Sequence, residues 1–352
     1  MSVRVLYILV GLSFLISSWA HYMSGSYGLQ FVSTSFAIVF LAALLGKATE
    51  SVAHFAGERI GGFLSATFGN AAELIIAIFL VRAGLFDMVK ASITGSIIGN
   101  LLLVLGLSIF AGGLKFKLQH FNTLLAGHNA SLMLLSVIAL FIPATFANDL
   151  EPHQMNIFSL VVAGALMVAY VLWLIFSMIT HKEELADTLS PTTHEEEEAP
   201  EWGRGASILI LVLATVLVAI QSEWLVHSVE EVAHSLGLSE IFIGAFVIAI
   251  VGNAAEHSAA IFMALKNRIG ASVEIAVGSS LQIALFVGPL LVFISLFFGT
   301  PMDIVFTKSE LVAIGVAAFI AISISRDGTT NWFEGILLLT VYIILGTAFY
   351  YI

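Results

Sequence analysis

The pentapeptide GNAAE occurs twice in the chain, at residues 69–73 and at residues 252–256. The flanking residues keep the same register, because each glutamate is followed at offsets of 22 and 23 residues by a Gly-Ser pair, Gly95-Ser96 and Gly278-Ser279. In a chain rich in Ala and Gly, one repeated pentapeptide is only suggestive. The matched downstream pairs indicate a duplication, which is the first feature to seek in a chain of this kind.

A second pair of matching segments lies upstream of the two motifs. Residues 50–54 (ESVAH) match residues 230–234 (EEVAH), with three extra residues before the second pentapeptide. Three elements therefore recur in one order in two halves of the chain.

The composition places both halves in a membrane. The 352 residues are 59% hydrophobic and only 11% charged, whereas soluble domains carry about 25% charged residues. The mean hydropathy is +1.03, and the apolar runs are too long for the alternating strands of a membrane barrel. There is no cysteine, and the 13 Lys and Arg residues are scattered, so thiolate chemistry and nucleic-acid binding are not expected. The predicted fold class is an all-α polytopic membrane protein.

The apolar runs predict eleven transmembrane helices, at about 20 residues for each crossing. We interpret the first run as a retained helix, because it lacks the small-x-small cleavage pattern of a signal peptide. The runs lie at residues 3–20, 31–54, 61–83, 88–112, 122–143, 155–180, 205–236, 240–265, 270–299, 305–325 and 330–351. The predicted organisation is a peripheral first helix with an external loop (1–30), a five-helix repeat (31–181), an acidic cytoplasmic linker (182–204) and a second five-helix repeat (205–352).

Two joined repeats with an odd number of helices must enter the membrane from opposite sides, so the repeats are predicted to be inverted. Cytoplasmic loops retain positive charge, and this rule favours a cytoplasmic N-terminus and an external C-terminus in the cell (inner) membrane. Arg82, Lys90 and Lys308 are then external. The cytoplasmic set is Arg4, Lys47, Arg59, Lys115, Lys117, Lys182, Arg204, Lys266, Arg268 and Arg326.

The residues that carry chemistry are the two motif glutamates, Glu73 and Glu256. A carboxylate in an apolar span is costly and is functional by default, and inverted repeats place a substrate site near the midplane where their matching elements meet. Asn70 and Asn253 each precede a glutamate by three residues and therefore share its helix face. The glycine before each asparagine can let the helix unwind and free carbonyl oxygens, as in discontinuous transporter helices.

More oxygen ligands are predicted on the helices that follow the two motifs. The set contains no sulfur and no histidine matched in both halves, which favours a hard cation, and two negative charges match one divalent ion such as Ca²⁺. The alternative is a pair of protonated glutamates that only hydrogen-bond neighbouring helices, but this does not explain the duplication in register. The further predicted ligands are Ser96, Asn100, Ser279, Ser280 and Gln282.

Other ionisable groups are weaker candidates. Glu50 and Glu230 recur in both halves near predicted span ends, where they are expected as vestibule carboxylates or proton relays. His257 follows Glu256 and is expected either to tune its proton affinity or to be a packing residue. Four glutamates without a counterpart are expected to be interface or helix-end charges: Glu223, Glu231, Glu274 and Glu310.

Enzyme motifs are missing from the sequence. It contains no His-Glu-x-x-His, no Gly-x-Ser-x-Gly and no nucleotide-binding Gly-x-x-x-x-Gly-Lys-Ser/Thr. The chain is therefore predicted to be a gradient-driven transporter without a cofactor. A cation channel is less favoured, because two inverted halves provide one site with two gates.

At the level of families, residues 69–73, 252–256, 95–100 (GSIIGN) and 278–284 (GSSLQIA) resemble the alpha repeats of calcium/proton antiporters in the calcium/cation exchanger superfamily. The resemblance covers nearly the whole chain and implies that Glu73 and Glu256 bind Ca²⁺ and protons in alternation. The amides and hydroxyls given above would then complete the site, with Ca²⁺ as substrate. The short termini look prokaryotic.

The alternative within the superfamily is a sodium/calcium exchanger, whose repeats usually carry more acidic and hydroxyl ligands than this chain has. A homo-oligomer in the lipid bilayer is compatible with either branch. The linker acids Glu195–Glu198 are expected to form a tether, or to raise the local Ca²⁺ concentration in a salt-dependent way.

Overall fold

The computed structural model describes residues 2–56, 61, 64–65, 67–185 and 200–352. Two features of the sequence analysis lie outside these residues: Arg59, and the acidic run Glu195–Glu198 of the linker.

Eleven long helices make up most of the described chain. They are α1 (Val3–Ser24), α2 (Tyr27–Ala56), α3 (Ala71–Ala83), α4 (Phe86–Phe116), α5 (Thr123–Phe146), α6 (Pro152–Thr180), α7 (Arg204–Leu236), α8 (Glu240–Leu265), α9 (Ile269–Phe298), α10 (Lys308–Asp327) and α11 (Trp332–Tyr350). One more turn of helix, Lys182–Leu185, follows α6.

Ten of these helices, all but α3, are long and apolar enough to cross a membrane. Large apolar side chains point outward from them, such as Leu15 (67% exposed), Phe319 (76%) and Ile343 (66%). Such side chains are stable against lipid tails, which are as apolar as they are. The predicted fold class is confirmed: the chain is an all-α polytopic membrane protein with one extra N-terminal helix and two inverted five-helix repeats.

Most helices differ from the predicted spans by one to four residues at one or both ends. The starts of α3 and α10 differ for a reason that the structure shows. α3 begins at Ala71, ten residues after the predicted start of its span, because the chain makes a turn at Gly69 and Asn70. α10 begins at Lys308 and not at 305, because Thr307 caps the helix. The boundaries at 30/31, 181/182 and 204/205 stay a prediction.

Three helices that carry duplicated residues contain a π-helical segment. These segments are Gly99–Val104 in α4, Ile243–Ile248 in α8 and Ile283–Val287 in α9. Single π-helical turns inside α-helices often occur at functional sites. The segment in α4 follows Ser96, the one in α9 follows Ser279, and the one in α8 precedes Asn253. Each segment therefore changes the helix face on which a predicted ligand lies.

The buried apolar side chains form two clusters. The smaller one joins α1, α2 and α7 and includes Leu6, Leu41 and Val218. The larger one extends through the rest of the bundle and also includes Ile38 of α2 and Leu225 of α7. The start of α3 lies between them, because Ala71 and Ala72 belong to the smaller cluster and Ile76 to the larger one. The first motif is therefore at the boundary of two packed groups.

A two-stranded sheet joins two loops at one end of the bundle. Strand β1 (Leu118–His120) pairs antiparallel with β2 (Thr329–Asn331). The buried Gln119 donates from Nε2 to Ala264 O and to Asn267 Oδ1, both at 3.0 Å. The end of α4 is thereby fixed to the end of α8. These are the helices that carry Ser96 and Asn253.

Candidate cation site

The two identical motifs have different local structures. Asn70 stands at the N-terminus of α3, directly after a turn in which Gly69 N donates to Ser65 O at 2.9 Å. Asn253 lies inside α8, where the α-helix continues without a break from Ala249 to Leu265. The predicted unwinding is therefore found at the first motif and was wrong for the second. A glycine costs only about 1 kcal/mol in a helix interior, so tertiary packing decides whether the helix breaks.

Each motif glycine faces the glutamate of the other motif. A Cβ atom added to Gly252 would lie 3.3 Å from Glu73 Cβ, and one added to Gly69 would lie 3.3 Å from Glu256 Oε1. These contacts are tighter than ordinary van der Waals separation, so a side chain at either glycine would push against a glutamate. The absence of a Cβ at both positions allows the two carboxylates to approach each other in the centre of the bundle.

Hydrogen bonds connect the first motif helix to its own half and to the other half. Ser96 on α4 donates to Glu73. Asn253 on α8 donates from Nδ2 to Ser96 Oγ at 3.0 Å and to Ala249 O at 2.9 Å. Glu73 therefore accepts a hydrogen bond from a serine of its own half, and an asparagine of the other half positions that serine.

The second half makes a related but different network. Ser279 on α9 donates to Asn70 Oδ1 at 3.0 Å and accepts from Asn100 Nδ2 at 3.1 Å. Ser279 also lies within hydrogen-bonding reach of Glu256. A hydroxyl has one proton to donate, so Asn70 and Glu256 compete for it. The two serines of the Gly-Ser pairs thus occupy matching places with different partners.

Several atoms of this network are buried and have no hydrogen-bond partner in the described part of the chain. Three of them are oxygens, Glu73 Oε2, Glu256 Oε2 and Asn253 Oδ1, and a fourth is the amide nitrogen Asn70 Nδ2. An unsatisfied buried polar atom costs about 1–3 kcal/mol. Carboxylate and amide oxygens are the ligands that Ca²⁺ prefers, so the residues fit a hard cation.

The charges at the site also favour a bound cation. Glu73 is 3% exposed and Glu256 is half-buried. Among the described residues, no Lys or Arg forms an ion pair with either of them. Two buried carboxylates without a cationic side chain are unfavourable as a pair of charges. They require protons or a bound cation.

The other predicted site residues are placed as follows. Gln282 Nε2 donates to Thr67 O at 3.4 Å, just before the first motif. Ser280 Oγ donates to Ala276 O in its own helix at 2.9 Å. Glu50 and Glu230 are exposed, near the end of α2 and the end of α7.

One hydrogen-bond partner in the network was not identified from the sequence. The backbone carbonyl of Ala249 fixes Asn253, and no sequence signal distinguishes it.

His257 was predicted as a tuning or packing residue, and its Nε2 is buried without a partner in the described chain. Glu310 is buried in a capping box with Thr307 and accepts from Thr94 Oγ1 at 3.4 Å. The sequence Thr-x-x-Glu is the signal for such a cap.

Comparisons with known proteins agree with this fold. The family described as "Sodium/calcium exchanger protein" matches residues 26–179 and 206–351. The Ca(2+)/H(+) antiporter ChaA of Bacillus subtilis is 46% identical over 348 residues, which cover 99% of both chains. The Ca(2+)/H(+) antiporter of Aphanothece halophytica is 44% identical and covers 96% of this chain and 93% of its own. The solved structure of native YfkE superposes with a TM-score of 0.86 at 42% identity, covering 99% of this chain and 100% of that one.

The fold defines a polytopic membrane protein built from two inverted repeats. The chain belongs to the sodium/calcium exchanger protein family. The predicted resemblance to its calcium/proton antiporters is confirmed by the two antiporter relatives.

Proposed function

We propose that this chain exchanges Ca²⁺ for protons across the membrane by alternating access, with Glu73 and Glu256 as the shared site. The observation that carries the proposal is the reciprocal approach of the two motifs, in which each glycine faces the glutamate of the other half. It supports a single central site with two carboxylates, each with one oxygen that has no hydrogen-bond partner among the described residues. The names of the relatives support Ca²⁺ and H⁺ as the two ions.

Competition for one site explains exchange without a relay between distant sites. Ca²⁺ needs both carboxylates in the charged form and accepts about six to eight oxygens in flexible geometry. Without a cation, two buried charges repel each other, and protons neutralise them. The two titrate as a coupled pair, so neither proton belongs to one residue alone. Bound Ca²⁺ and bound protons therefore exclude each other.

The packing around the site supports access from one side at a time. A Cβ added to Gly95 of α4 would overlap the backbone of Ala245 of α8, and one added to Gly244 would lie 2.8 Å from the Ala91 side chain. At Gly278, the counterpart of Gly95 in α9, no described atom lies within 4 Å of such a Cβ. With the N-terminus in the cytoplasm, the close contacts are on the external side. This arrangement is then closed to the outside.

The helix pair α2 and α7 suits the required movement. Both helices share the smaller apolar cluster with α1, and both also pack against the larger cluster through Ile38 and Leu225. We propose that α2 and α7 move against the core that carries the two glutamates, while α1 stays peripheral.

The linker between the repeats remains a candidate for Ca²⁺ attraction. Its described end is attached to the membrane part, because Glu201 pairs with Lys47 at 3.5 Å and the Trp202 ring lies 6.3 Å from that of Tyr7. Neutralising Glu195–Glu198 is expected to lower the apparent Ca²⁺ affinity at low ionic strength only, because salt screens exposed charges.

The test of the proposed function is Ca²⁺ uptake into inverted membrane vesicles under an imposed pH gradient, repeated with a Na⁺ gradient. Uptake driven by the pH gradient, and lost in Glu73→Gln and Glu256→Gln, is the expected result. Uptake driven only by Na⁺ would assign the chain to sodium/calcium exchange. Uptake that needs neither a pH gradient nor a Na⁺ gradient, at a rate that follows the Ca²⁺ gradient alone, would indicate a channel. Glu231→Gln is the matched control, because this glutamate is exposed and has no counterpart in the other repeat.

A further inference from the structure

One buried amide ties the end of α1 to both α2 and α7. Gln30 on α2 is 5% exposed. Its Nε2 lies 2.7 Å from Nδ1 of His21 on α1 and donates to Trp224 O on α7 at 3.0 Å. This contact is far from the two motifs along the chain, and the proposed exchange cycle does not use it.

The chemistry of the three groups fixes the protonation of His21. A backbone carbonyl only accepts hydrogen bonds, so the Gln30 atom that faces Trp224 must be the amide nitrogen. The same nitrogen faces His21 Nδ1, and Nδ1 must therefore offer a lone pair. The contact requires a neutral imidazole with its proton on Nε2.

Protonation of His21 is incompatible with this arrangement. A protonated imidazole carries N–H groups at both ring nitrogens, so Nδ1–H would face an N–H donor of Gln30 at 2.7 Å. Rotating the Gln30 amide by 180° would satisfy His21, but it would place a carbonyl oxygen against Trp224 O. One of the two hydrogen bonds must break in either case.

Aromatic and charged groups surround His21 and influence its protonation. The indole of Trp224 stacks on the imidazole with centroids 4.7 Å apart, and the ring of His227 on α7 lies 6.1 Å away. Tyr22 packs against His21, and Tyr27 packs against His227. The charged groups are Glu223 on α7, which acts on His21, and Arg82 on α3, which pairs with Glu223 at 3.5 Å. A positive charge on His227 would repel one on His21, while Glu223 would attract it.

We propose that His21, Gln30 and Trp224 form a pH-sensitive latch that holds one end of α1 on the α2/α7 pair. Neutral His21 keeps the latch closed, and protonated His21 opens it. The rest of α1 stays attached, because Gln221 on α7 donates to Ser17 Oγ at 2.8 Å. With the orientation proposed above, the latch lies on the external side, from which protons enter. The latch thereby makes α2 and α7 sensitive to the pH of the external side.

The absence of cysteine in the natural chain allows a clean test. A spin label is attached to Met23→Cys, next to the latch, at a position that is 77% exposed. The labelled full-length protein is placed in proteoliposomes, and the pH is lowered on each side separately. The mobile fraction of the label is expected to rise as the pH of the latch side falls. The ratio of mobile to immobile label should change about tenfold, as expected for the loss of one hydrogen bond.

Two variants bracket the two states of the latch. His21→Gln supplies a carbonyl acceptor that does not titrate, so the label should stay immobile at low pH. Gln30→Leu removes the amide, so the label should be mobile at every pH. His227→Gln is the matched control, because it removes the neighbouring imidazole and leaves the Gln30 contacts; its pH response should persist.

The exchange rate gives the functional readout. The dependence of the rate on the pH of the latch side should be altered in His21→Gln and kept in His227→Gln. The proposal is overturned if the label of the parent is insensitive to pH on that side, or if His21→Gln keeps the full response. It is also overturned if His227→Gln abolishes the response. Because Glu73 and Glu256 are unchanged in these variants, a failure of the latch is distinguishable from a failure of the proposed Ca²⁺ site.

Discussion

The two motif asparagines have the same sequence neighbours but are held differently, so the same substitution should act differently at each. Asn253 Nδ2 donates to Ala249 O at 2.9 Å and to Ser96 Oγ at 3.0 Å. Asn70 Nδ2 has no partner in the described residues, and Asn70 Oδ1 accepts from Ser279. Aspartate replaces the amide nitrogen by an oxygen that only accepts. Asn253→Asp therefore loses two donated hydrogen bonds, and Asn70→Asp loses none.

The size of the difference follows from these bonds. Two hydrogen bonds at about 1 kcal/mol each amount to roughly 2 kcal/mol, or about a 30-fold change in a dissociation constant. Repulsion between the new carboxylate at position 253 and Ala249 O adds to this loss. The added negative charge attracts Ca²⁺ in both variants, so the comparison between them isolates the hydrogen bonds. Asn70→Asp is expected to stay within about threefold of the parent or to bind Ca²⁺ more tightly.

The measurement is equilibrium binding of radioactive Ca²⁺ to the purified protein in lipid nanodiscs at constant pH. Thermal unfolding without Ca²⁺ tests whether each variant folds. Asn331→Asp serves as the matched control, because it adds the same charge at a capping asparagine that lies outside the site. Equal losses of affinity at the two asparagines, or a larger loss at Asn70, would refute the reasoning.

Three other substitutions test the site and the packing that forms it. Glu73→Gln and Glu256→Gln each keep an oxygen ligand but remove one charge, so each should abolish Ca²⁺/H⁺ exchange in vesicles; an exchange rate near that of the parent would exclude the two-carboxylate site. Gly252→Ala pushes on Glu73 and should weaken Ca²⁺ binding several-fold, about 1 kcal/mol. Gly278→Ala meets no atom of the described residues within 4 Å and should leave binding unchanged; similar binding in both would contradict the close approach. Thr307→Ala removes a capping hydroxyl and should destabilise the protein by about 1 kcal/mol in thermal unfolding, without changing Ca²⁺ affinity; unchanged stability would exclude the cap.

The sequence predicts the fold and the central residues because both depend on patterns that a single chain displays. Apolar runs of membrane length give the number of helices, and the duplication in register shows which residues must meet. Each motif glycine lies against the glutamate of the other motif, and a shared ion site at Glu73 and Glu256 stays a prediction. The capping box that starts α10 was also readable, although the run of apolar residues before Thr307 masked it.

The partners of these residues could not be predicted, because they depend on contacts between helices that are distant in the chain. Register within a repeat pairs Glu73 with Ser96, but only packing shows that Asn253 of the other half donates to the same serine. Asn100 has Ile283 at its matching position, and its contact with Ser279 has no counterpart. The attachment of α1 through Gln30 has no repeat or motif to announce it.

The difference between the two motifs has a physical origin in their surroundings and not in their residues. In α8 the helix continues through Gly252, and the carbonyl of Ala249 is in place to hold the Asn253 amide. In the first motif the chain turns at Gly69, and Asn70 stands just before the start of α3, at the boundary of the two apolar clusters. A ligand fixed by its own helix costs little ordering when an ion binds, whereas a ligand at a helix start must be ordered on binding. A site that binds an ion and then releases it to the other side benefits from one ligand of each kind. Two identical pentapeptides thus supply a preorganised amide and an adjustable one, because the fold places them in different backbone environments.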